Sequence, residues 1–130
     1  MLFTYEIQTG NRAELVDITY LVNNALKKSG VKDGLCIVFT PHTTCAITIN
    51  ENADPDVKTD ILKFLNEKIP QNYKFSHFEG NSDAHLKSSL IGCEQNIIIE
   101  NNELLLGTWQ GVLFCEFDGP RKRKIHIKFI

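Results

Sequence analysis

Two kinds of apolar pattern mark the start of the chain. Phe3, Tyr5 and Ile7 alternate with polar residues, which predicts a strand with one buried face. From Asp17 onward the apolar residues recur at spacings of three and four, which predicts an amphipathic helix that ends at Gly30. A strand followed by a helix is therefore expected here.

The middle of the chain predicts two strands and a second helix. The runs GLCIVFT and CAITIN flank the segment PHTT, which is long enough only for a turn or a bulge, so His42 is expected at the end of a sheet. Asp54 and Pro55 form a helix start, with Asp54 as N-cap, and the helix stops at Pro70. Its predicted buried stripe consists of Val57, Ile61, Phe64, Leu65 and Ile69.

The second half of the chain predicts one short helix and several short strands. The helix is expected to begin at Asn81 or Ser82 and to end at Gly92, and turns are expected at Asn101 and Gly119. The predicted order is β-α-β-β-α-α-β-β-β-β. Connections of hairpin length favour antiparallel pairing. The predicted fold class is thus α+β, with about three helices against a mainly antiparallel sheet or sandwich.

Composition and charge narrow the class of protein. With 130 residues, the chain is predicted to form a single domain over 1–130. A net charge of −2 favours neither nucleic acid nor an anionic membrane as a partner. No apolar stretch reaches the length of about 20 residues needed to span a bilayer, and no signal peptide is evident, so a cytoplasmic location is expected. The four widely spaced cysteines are expected to be reduced thiols.

Three of the four histidines lie in polar, turn-rich segments. His42, His77 and His85 stand in PHTTCA, SHFEGN and SDAHLK, beside hydroxyl, amide and carboxyl groups that can orient an imidazole ring. Three neutral imidazoles with one open position form a recurrent catalytic zinc site. The same residues are equally compatible with three unrelated surface or capping positions. His126 alternates with Ile125 and Ile127 and is predicted to face solvent.

The remaining candidate site residues lie mostly in turns or at strand ends. They are Glu51, Glu79, Asn81, Ser82, Asp83, Gln110, Asp118 and Arg121. The helix start at Ser82 presents free backbone N–H groups to an anion, and Arg121 is suited to a two-pronged grip on phosphate or carboxylate. Alternatively, the run Arg121–Lys124 is a solvated strand entrance. The sequence contains no nucleotide-binding, zincin or nucleophile-elbow motif.

Three segments carry a resemblance to a known family. HTTCAITINENADPDVKTD, SHFEGNSDAHLKSSLIG and LLLGTWQGVLFCEFDGPRKRKI, in this order, resemble the YjbQ family, also named secondary thiamine-phosphate synthase enzymes. The resemblance covers nearly the whole chain. It implies an α+β fold containing a β-sandwich, a homotrimer, and a pocket at or near the subunit interface. It also implies metal binding by His42, His77 and His85, and it includes motif positions Glu51, Asn81, Gln110, Asp118 and Arg121.

Two functions of different kinds are consistent with these features. In the first, a zinc or other divalent ion on the histidines assists an enzyme that acts on a phosphorylated or anionic metabolite. Glu51 or Asp83 then moves a proton or orients a ligand, and Arg121 holds the anion with Asn81, Ser82, Gln110 and Asp118 nearby. In the second, a non-catalytic trimeric module binds a small anion. Strands rich in apolar residues, with few helices to cover them, also predict a homo-oligomer.

Overall fold

The computed structural model describes residues 1–130 and contains eight strands and three helices. The strands are β1 (Leu2–Gln8), β2 (Glu14–Asp17), β3 (Gly34–Phe39), β4 (Cys45–Glu51), β5 (Glu94–Glu100), β6 (Glu103–Leu104), β7 (Gln110–Glu116) and β8 (Lys122–Phe129). The helices are α1 (Thr19–Ser29), α2 (Pro55–Lys68) and α3 (Ser82–Ile91). None of the three helices is long and apolar enough to cross a membrane.

The strands form two antiparallel sheets that face each other. The larger sheet has the order β1-β8-β3-β5-β6 and the smaller sheet the order β2-β7-β4. Ile97 and Ile127 of the larger sheet share a buried core with Ile47 and Phe114 of the smaller one, and Val22 of α1 joins them. The predicted α+β class with an antiparallel sandwich and three helices is confirmed.

The local signals for the helices are also confirmed. Gly30 takes a left-handed φ of 70° after α1, a conformation that glycine adopts without a steric penalty. The Asp54 side chain accepts a hydrogen bond from the backbone N–H of Asp56, and Pro55 occupies the first helical position of α2. Asn101 and Asn102 both have positive φ in the turn between β5 and β6.

One prediction about the helices holds only in part, and one strand was not predicted. Four members of the predicted apolar stripe of α2, namely Val57, Ile61, Leu65 and Ile69, are half-buried, but no residue of this helix is fully buried and Phe64 is 59% exposed. The reason is that α2 lies beside α3 on the outer face of the smaller sheet and is covered from one side only. Strand β2 was not predicted, because its four residues are too few to display an alternating pattern.

Three short connections pass from one sheet to the other at the same end of the sandwich. They are residues 9–13 between β1 and β2, 40–44 between β3 and β4, and 117–121 between β7 and β8. The last of these, although short, is not a hairpin, because its two strands belong to different sheets. His42 therefore lies at the end of a sheet, as predicted, and Asp118 and Arg121 stand on a neighbouring connection.

Helix α3 brings a polar face to this end of the sandwich. Its buried residues are mostly polar: Ser82, Asp83, Ala84, Lys87 and Ser88. It packs on the outer face of β4, where Ala84 contacts an apolar cluster of the smaller sheet. Burial of a polar side chain is unfavourable unless the side chain has a hydrogen-bond partner. The partners of these buried side chains therefore fix the position at which α3 begins.

Candidate functional site

A polar cleft of about 360 Å³ opens where α3 meets the crossover connections. It is lined by six of the candidate site residues, namely His42, Glu79, Asn81, His85, Asp118 and Arg121. Pro41, Thr43, Thr44 and Arg123 also line it. The cleft therefore collects side chains from three separate segments of the sequence.

His77 and His85 form a close imidazole pair. Their ring centroids are 5.4 Å apart with planes nearly perpendicular, and Nδ1 of His77 lies 2.9 Å from Oγ of Ser82. Two imidazoles that ligate one zinc ion at about 2.1 Å place their ring centres roughly 5 Å apart. The spacing of this pair fits two ligands of one divalent ion.

His42 is engaged differently. Its Nε2 accepts a hydrogen bond of 2.9 Å from the backbone N–H of Lys124, so the neutral ring carries its proton on Nδ1. Burial, followed by the positive charge of Arg123, lowers the pKa of His42 below its ordinary value and favours this neutral form. In this tautomer the free nitrogen of His42, Nδ1, is a hydrogen-bond donor, and metal ligation requires Nε2 to release Lys124. No group of three His, Cys, Asp or Glu side chains is arranged to hold a metal ion in this conformation.

Asn81, Asp118 and Arg121 form a hydrogen-bonded chain along one wall. Asp118 Oδ2 accepts from Nδ2 of Asn81 at 2.8 Å and from Nη2 of Arg121 at 3.2 Å. Arg121 Nε also donates to the Asp118 carbonyl at 2.8 Å, while Nη1 makes no bond within the chain. Oδ1 of Asn81 is buried without a hydrogen-bond partner. A buried acceptor left unpaired is unfavourable, so Asn81 Oδ1 is the unsatisfied polar atom of this wall.

Arg123 forms the floor of the cleft. Its Nε and Nη2 donate to the two carboxylate oxygens of Glu116 at 2.9 and 2.6 Å, and Nη2 also donates to Thr44 Oγ1 at 2.9 Å. The side chains of Arg123 and Glu116 are only 6% and 0% exposed. Burial opposes the charge on Glu116, but hydrogen bonds from Arg123 and Thr9 hold its pKa below the ordinary value. The floor is therefore a charged pair at neutral pH, with Nη1 of Arg123 free of bonds within the chain.

Arg123 was missed as a site residue by the sequence reading, although a signal for it exists. It shares strand parity with Ile125, Ile127 and Phe129, all of which are buried. An arginine at a position whose parity predicts burial needs a buried partner. Glu116 is that partner, and only the packing of the two sheets brings them together.

Asp83 lies behind the cleft in a closed ion-pair cluster. Its carboxylate accepts two bonds from Arg12, at 3.0 and 3.2 Å, and one of 2.8 Å from Lys87. Burial raises the pKa of this carboxyl, but the bonds from Arg12 and Lys87 outweigh it and hold the pKa below the ordinary value. Both oxygens are occupied and the side chain is 0% exposed, which suits a group that positions α3.

Glu51 and Gln110 lie outside the cleft of this chain. They face each other in the pairing of β4 with β7, at the end opposite to Cys45 and Glu116. Six residue steps along a strand correspond to about 20 Å. Glu51 Oε2 accepts from the N–H of Ala53, and Gln110 Oε1 accepts from the N–H of Gly107. A single chain therefore does not bring these two residues to the histidines.

Comparison with known proteins identifies the family. Residues 3–130 match the family described as UPF0047 protein YjbQ-like. A UPF0047 protein of Methanocaldococcus jannaschii is 59% identical over all of this chain and 94% of its own length, and YugU of Bacillus subtilis is 50% identical over 100% of this chain and 99% of its own. The chain belongs to the UPF0047 YjbQ-like family.

Solved structures of the UPF0047 YjbQ-like family share the fold. A Clostridium acetobutylicum member is 55% identical, with a TM-score of 0.97 over 98% of this chain and 99% of its own. A Sulfolobus solfataricus protein of unknown function is 33% identical, with a TM-score of 0.96 over 99% of this chain and 95% of its own. Membership in the UPF0047 family establishes the architecture and leaves the activity to be argued from the cleft.

The closed cluster around Asp83 generates a prediction about stability. Asp83→Asn leaves Lys87 buried without a counter-charge, so the free energy of unfolding at pH 7 is expected to fall by about 3–5 kcal/mol. The folded pKa of Asp83 is lowered, so its stabilisation is fully present above the unfolded pKa of about 3.9 and is lost as the pH falls through the lower folded value. Denaturant unfolding from pH 7 to pH 2.5 measures both effects.

A matched control for this experiment is Asp60→Asn, on the exposed surface of α2. The control is expected to change the free energy of unfolding by no more than about 0.5 kcal/mol. Equal stability of Asp83→Asn and wild type at pH 7, or a difference between them that persists unchanged below pH 3, contradicts the structural role of Asp83.

Proposed function

We propose that this chain is a small metal-assisted enzyme that acts on a phosphorylated or otherwise anionic metabolite. The observation that carries the proposal is that His85, whose ring pairs with that of His77, lines the same cleft as two arginines, Arg121 and Arg123. Permanent cations attract and orient an anion, and paired imidazoles are common ligands of divalent metals. Its four free thiols suit a cytoplasmic protein.

In this proposal His77, His85 and His42 hold zinc or another divalent ion. His77 and His85 already have suitable ring spacing, and His42 completes the set once its Nε2 releases the Lys124 N–H. When bound, such an ion supplies a Lewis acid that acidifies water and polarises a phosphoryl oxygen. Ser82 Oγ, 2.9 Å from Nδ1 of His77, orients that ring by hydrogen bonding.

The anion is held by groups that the chain leaves free. Nη1 of Arg121 and Nη1 of Arg123 make no bond within the chain, and both residues line the cleft. The first backbone N–H groups of α3, at Ser82 and Asp83, have no partner inside the helix and carry the positive end of its dipole. Asn81 and Asp118 hold Arg121 in place on this wall.

Proton transfer in the proposed reaction falls to residues that are not already paired. Glu79 lines the cleft and is exposed, and its Oε2 lies 3.7 Å from Nε2 of His77. Asp83 acts instead by positioning α3. Glu51 and Gln110 join the site only when a neighbouring subunit brings them to it. The family resemblance implies a homotrimer with a pocket at or near the subunit interface. Thiamine-phosphate synthesis, which the resemblance also implies, is then a weak secondary activity of the cleft.

One observation favours a non-catalytic anion-binding module as the second candidate. The cleft of a single chain holds no carboxylate that is both buried and unpaired, since Asp118 pairs with Arg121 and Glu79 is exposed. A metabolite turnover screen on the purified protein separates the two functions. Tight binding without turnover of any bound ligand favours the module, whereas turnover of a bound phosphorylated compound favours the enzyme.

The metal proposal predicts the metal content of purified variants. Wild-type protein is expected to contain close to one divalent ion per subunit, and His85→Ala to lose most of it because one of the paired imidazoles is gone. His126→Ala is the control, since His126 bonds to Thr4 on the outer face of the larger sheet and does not line the cleft. Elemental analysis and thermal shift after chelation are the measurements. Full metal-free activity of wild type and of His85→Ala would sink the metal role.

The anion proposal predicts that Arg121→Lys weakens phosphate binding about tenfold or more, which corresponds to roughly 1.4 kcal/mol. Lysine keeps the positive charge but lacks the planar guanidinium group, which in Arg121 bonds to Asp118 through Nε and Nη2 and leaves Nη1 free. The melting temperature is expected to stay nearly unchanged, because Arg121 is 57% exposed. Calorimetric titration measures the affinity, with Lys128→Gln on β8, outside the cleft, as a charge control. Unaltered affinity in Arg121→Lys returns this residue to a solvated surface role.

We also propose that the chain assembles as a homotrimer. Leu35 and Ile98 pair in register on the outer face of the larger sheet and are 41% and 54% exposed, and Phe64 and Leu90 are exposed on α2 and α3. Apolar surface of this extent favours burial against another subunit. The number three comes from the family resemblance.

Light scattering is expected to give a mass of about three times the 14.8 kDa of one chain. Replacing Ile98 by Lys on the exposed face is expected to lower that mass, while Lys28→Gln on the exposed surface of α1 leaves it unchanged. A mass near that of one chain at low micromolar concentration would contradict the proposed assembly.

A further inference from the structure

A second cavity of about 600 Å³ adjoins the anion cleft. The two share four residues, Pro41, His42, Thr43 and His85. Beyond these shared residues, the second cavity extends over Phe39 of β3 and over the C-terminal half of α3 to Cys93. A ligand that enters either space therefore meets His42 and His85 at the boundary between them.

The second cavity offers neither charge nor free hydroxyl donors over most of its wall. No Asp, Glu, Lys or Arg lines it. Three of its hydroxyl groups donate to backbone carbonyls instead: Thr40 to Lys124 at 3.3 Å, Ser88 to Cys45 at 2.7 Å and Ser89 to His85 at 2.8 Å. A hydroxyl group whose proton already donates to a carbonyl binds a polar ligand only weakly. An ion in this cavity also has no charged side chain of opposite sign beside it.

The anion cleft has the opposite character. Arg121 and Arg123 each present an Nη1 group that no atom of the chain occupies, and no hydrophobic side chain lines this space. A doubly charged oxyanion is therefore favoured on one side of the two histidines, and an uncharged group on the other side. Volumes of this order are typical of sites for small molecules.

We propose that the two cavities form one bipartite site for a monophosphate ester with an uncharged, ring-sized body. The phosphate lies in the cleft beside Arg121 and Arg123, and the body lies against Phe39 and α3. His42 and His85 stand beside the bond that joins the two parts. This inference rests on the proposed function, because it assigns the anion to the same cleft and adds the chemical class of what the anion is attached to.

The first test compares three ligands by calorimetry with the protein as purified. At pH 8, inorganic phosphate and phenyl phosphate are both dianions, so they differ mainly in the uncharged ring. Phenyl phosphate is expected to bind at least tenfold more tightly than inorganic phosphate. Phosphoglycolate, whose body carries a carboxylate, is expected to bind no more tightly than inorganic phosphate, because the second cavity has no cation to meet it.

A variant pair shows whether the ring uses the second cavity. Ser89→Trp places a large side chain where α3 lines that cavity. It is expected to abolish the extra affinity of phenyl phosphate over inorganic phosphate, while the affinity for inorganic phosphate stays within about twofold of the wild-type value. Leu90→Trp is the matched control on the next residue, which is 72% exposed and lines neither cavity, and it is expected to preserve that extra affinity.

A labelling experiment tests the same point in the unmutated protein. Cys93 lines the second cavity and is exposed, whereas Cys36, Cys45 and Cys115 are buried. Burial raises the pKa of Cys36 to about 12, so alkylation with N-ethylmaleimide is expected at Cys93 first. Phenyl phosphate is expected to slow this alkylation at least threefold, and inorganic phosphate at equal saturation to leave the rate unchanged.

The outcomes separate this inference from the function on which it rests. If neither phosphate nor phenyl phosphate binds, the proposed function fails and the bipartite site with it. If inorganic phosphate binds but phenyl phosphate binds no more tightly, or gives no more protection of Cys93, the bipartite site is overturned while the anion cleft stands. Tighter binding of phosphoglycolate than of phenyl phosphate also overturns the proposal that the body of the ligand is uncharged.

Discussion

The structure depends on the buried ion pair between Arg123 and Glu116. Arg123 belongs to the larger sheet and Glu116 to the smaller one, so their two parallel hydrogen bonds join the sheets at the end where the chain crosses between them. Thr9 and Thr44, from two of the crossover connections, bond to the same pair. Removal of one partner leaves an uncompensated buried charge, which costs about 3–5 kcal/mol. The same ion pair thus forms the floor of the cleft and joins the two sheets of the sandwich.

A second ion-pair cluster, formed by Asp83, Lys87 and Arg12, lies at the start of α3. Asp83 and Lys87 bury one face of α3, Arg12 reaches them from the connection after β1, and Asn66 of α2 accepts from Lys87. These contacts fix the start of α3, and with it the positions of His85 and of the free N–H groups. The polar burial of this helix therefore serves the geometry of the site. Buried charges with full sets of partners hold a functional surface more rigidly than apolar contacts of variable packing.

Much of the fold and part of the candidate site were predictable from local signals. Gly30, and Asp54 with Pro55, marked helix ends and starts because caps depend on the backbone preferences of a few adjacent residues. The location of His42 at a strand end followed from two strand patterns separated by a short polar segment. Glu51 and Gln110 show the limit of this reasoning. Their place in the family motifs gave no indication that β4 carries Glu51 about 20 Å from the cleft.

The sequence by itself determined the three helices and all strands but β2, the antiparallel α+β class and the chemical identity of the side chains available to a site. These depend on short-range spacing, turn residues and hydrophobic parity. Only the tertiary structure decided which strands share a sheet, that α2 stays half uncovered, and that Arg123 meets Glu116 while Asp83 is enclosed by Arg12 and Lys87. The physical reason is that sheet pairing joins residues as far apart in the chain as Leu2 and Lys128, and that the ion pair between Arg12 and Asp83 joins residues 71 positions apart. No local pattern records such a separation.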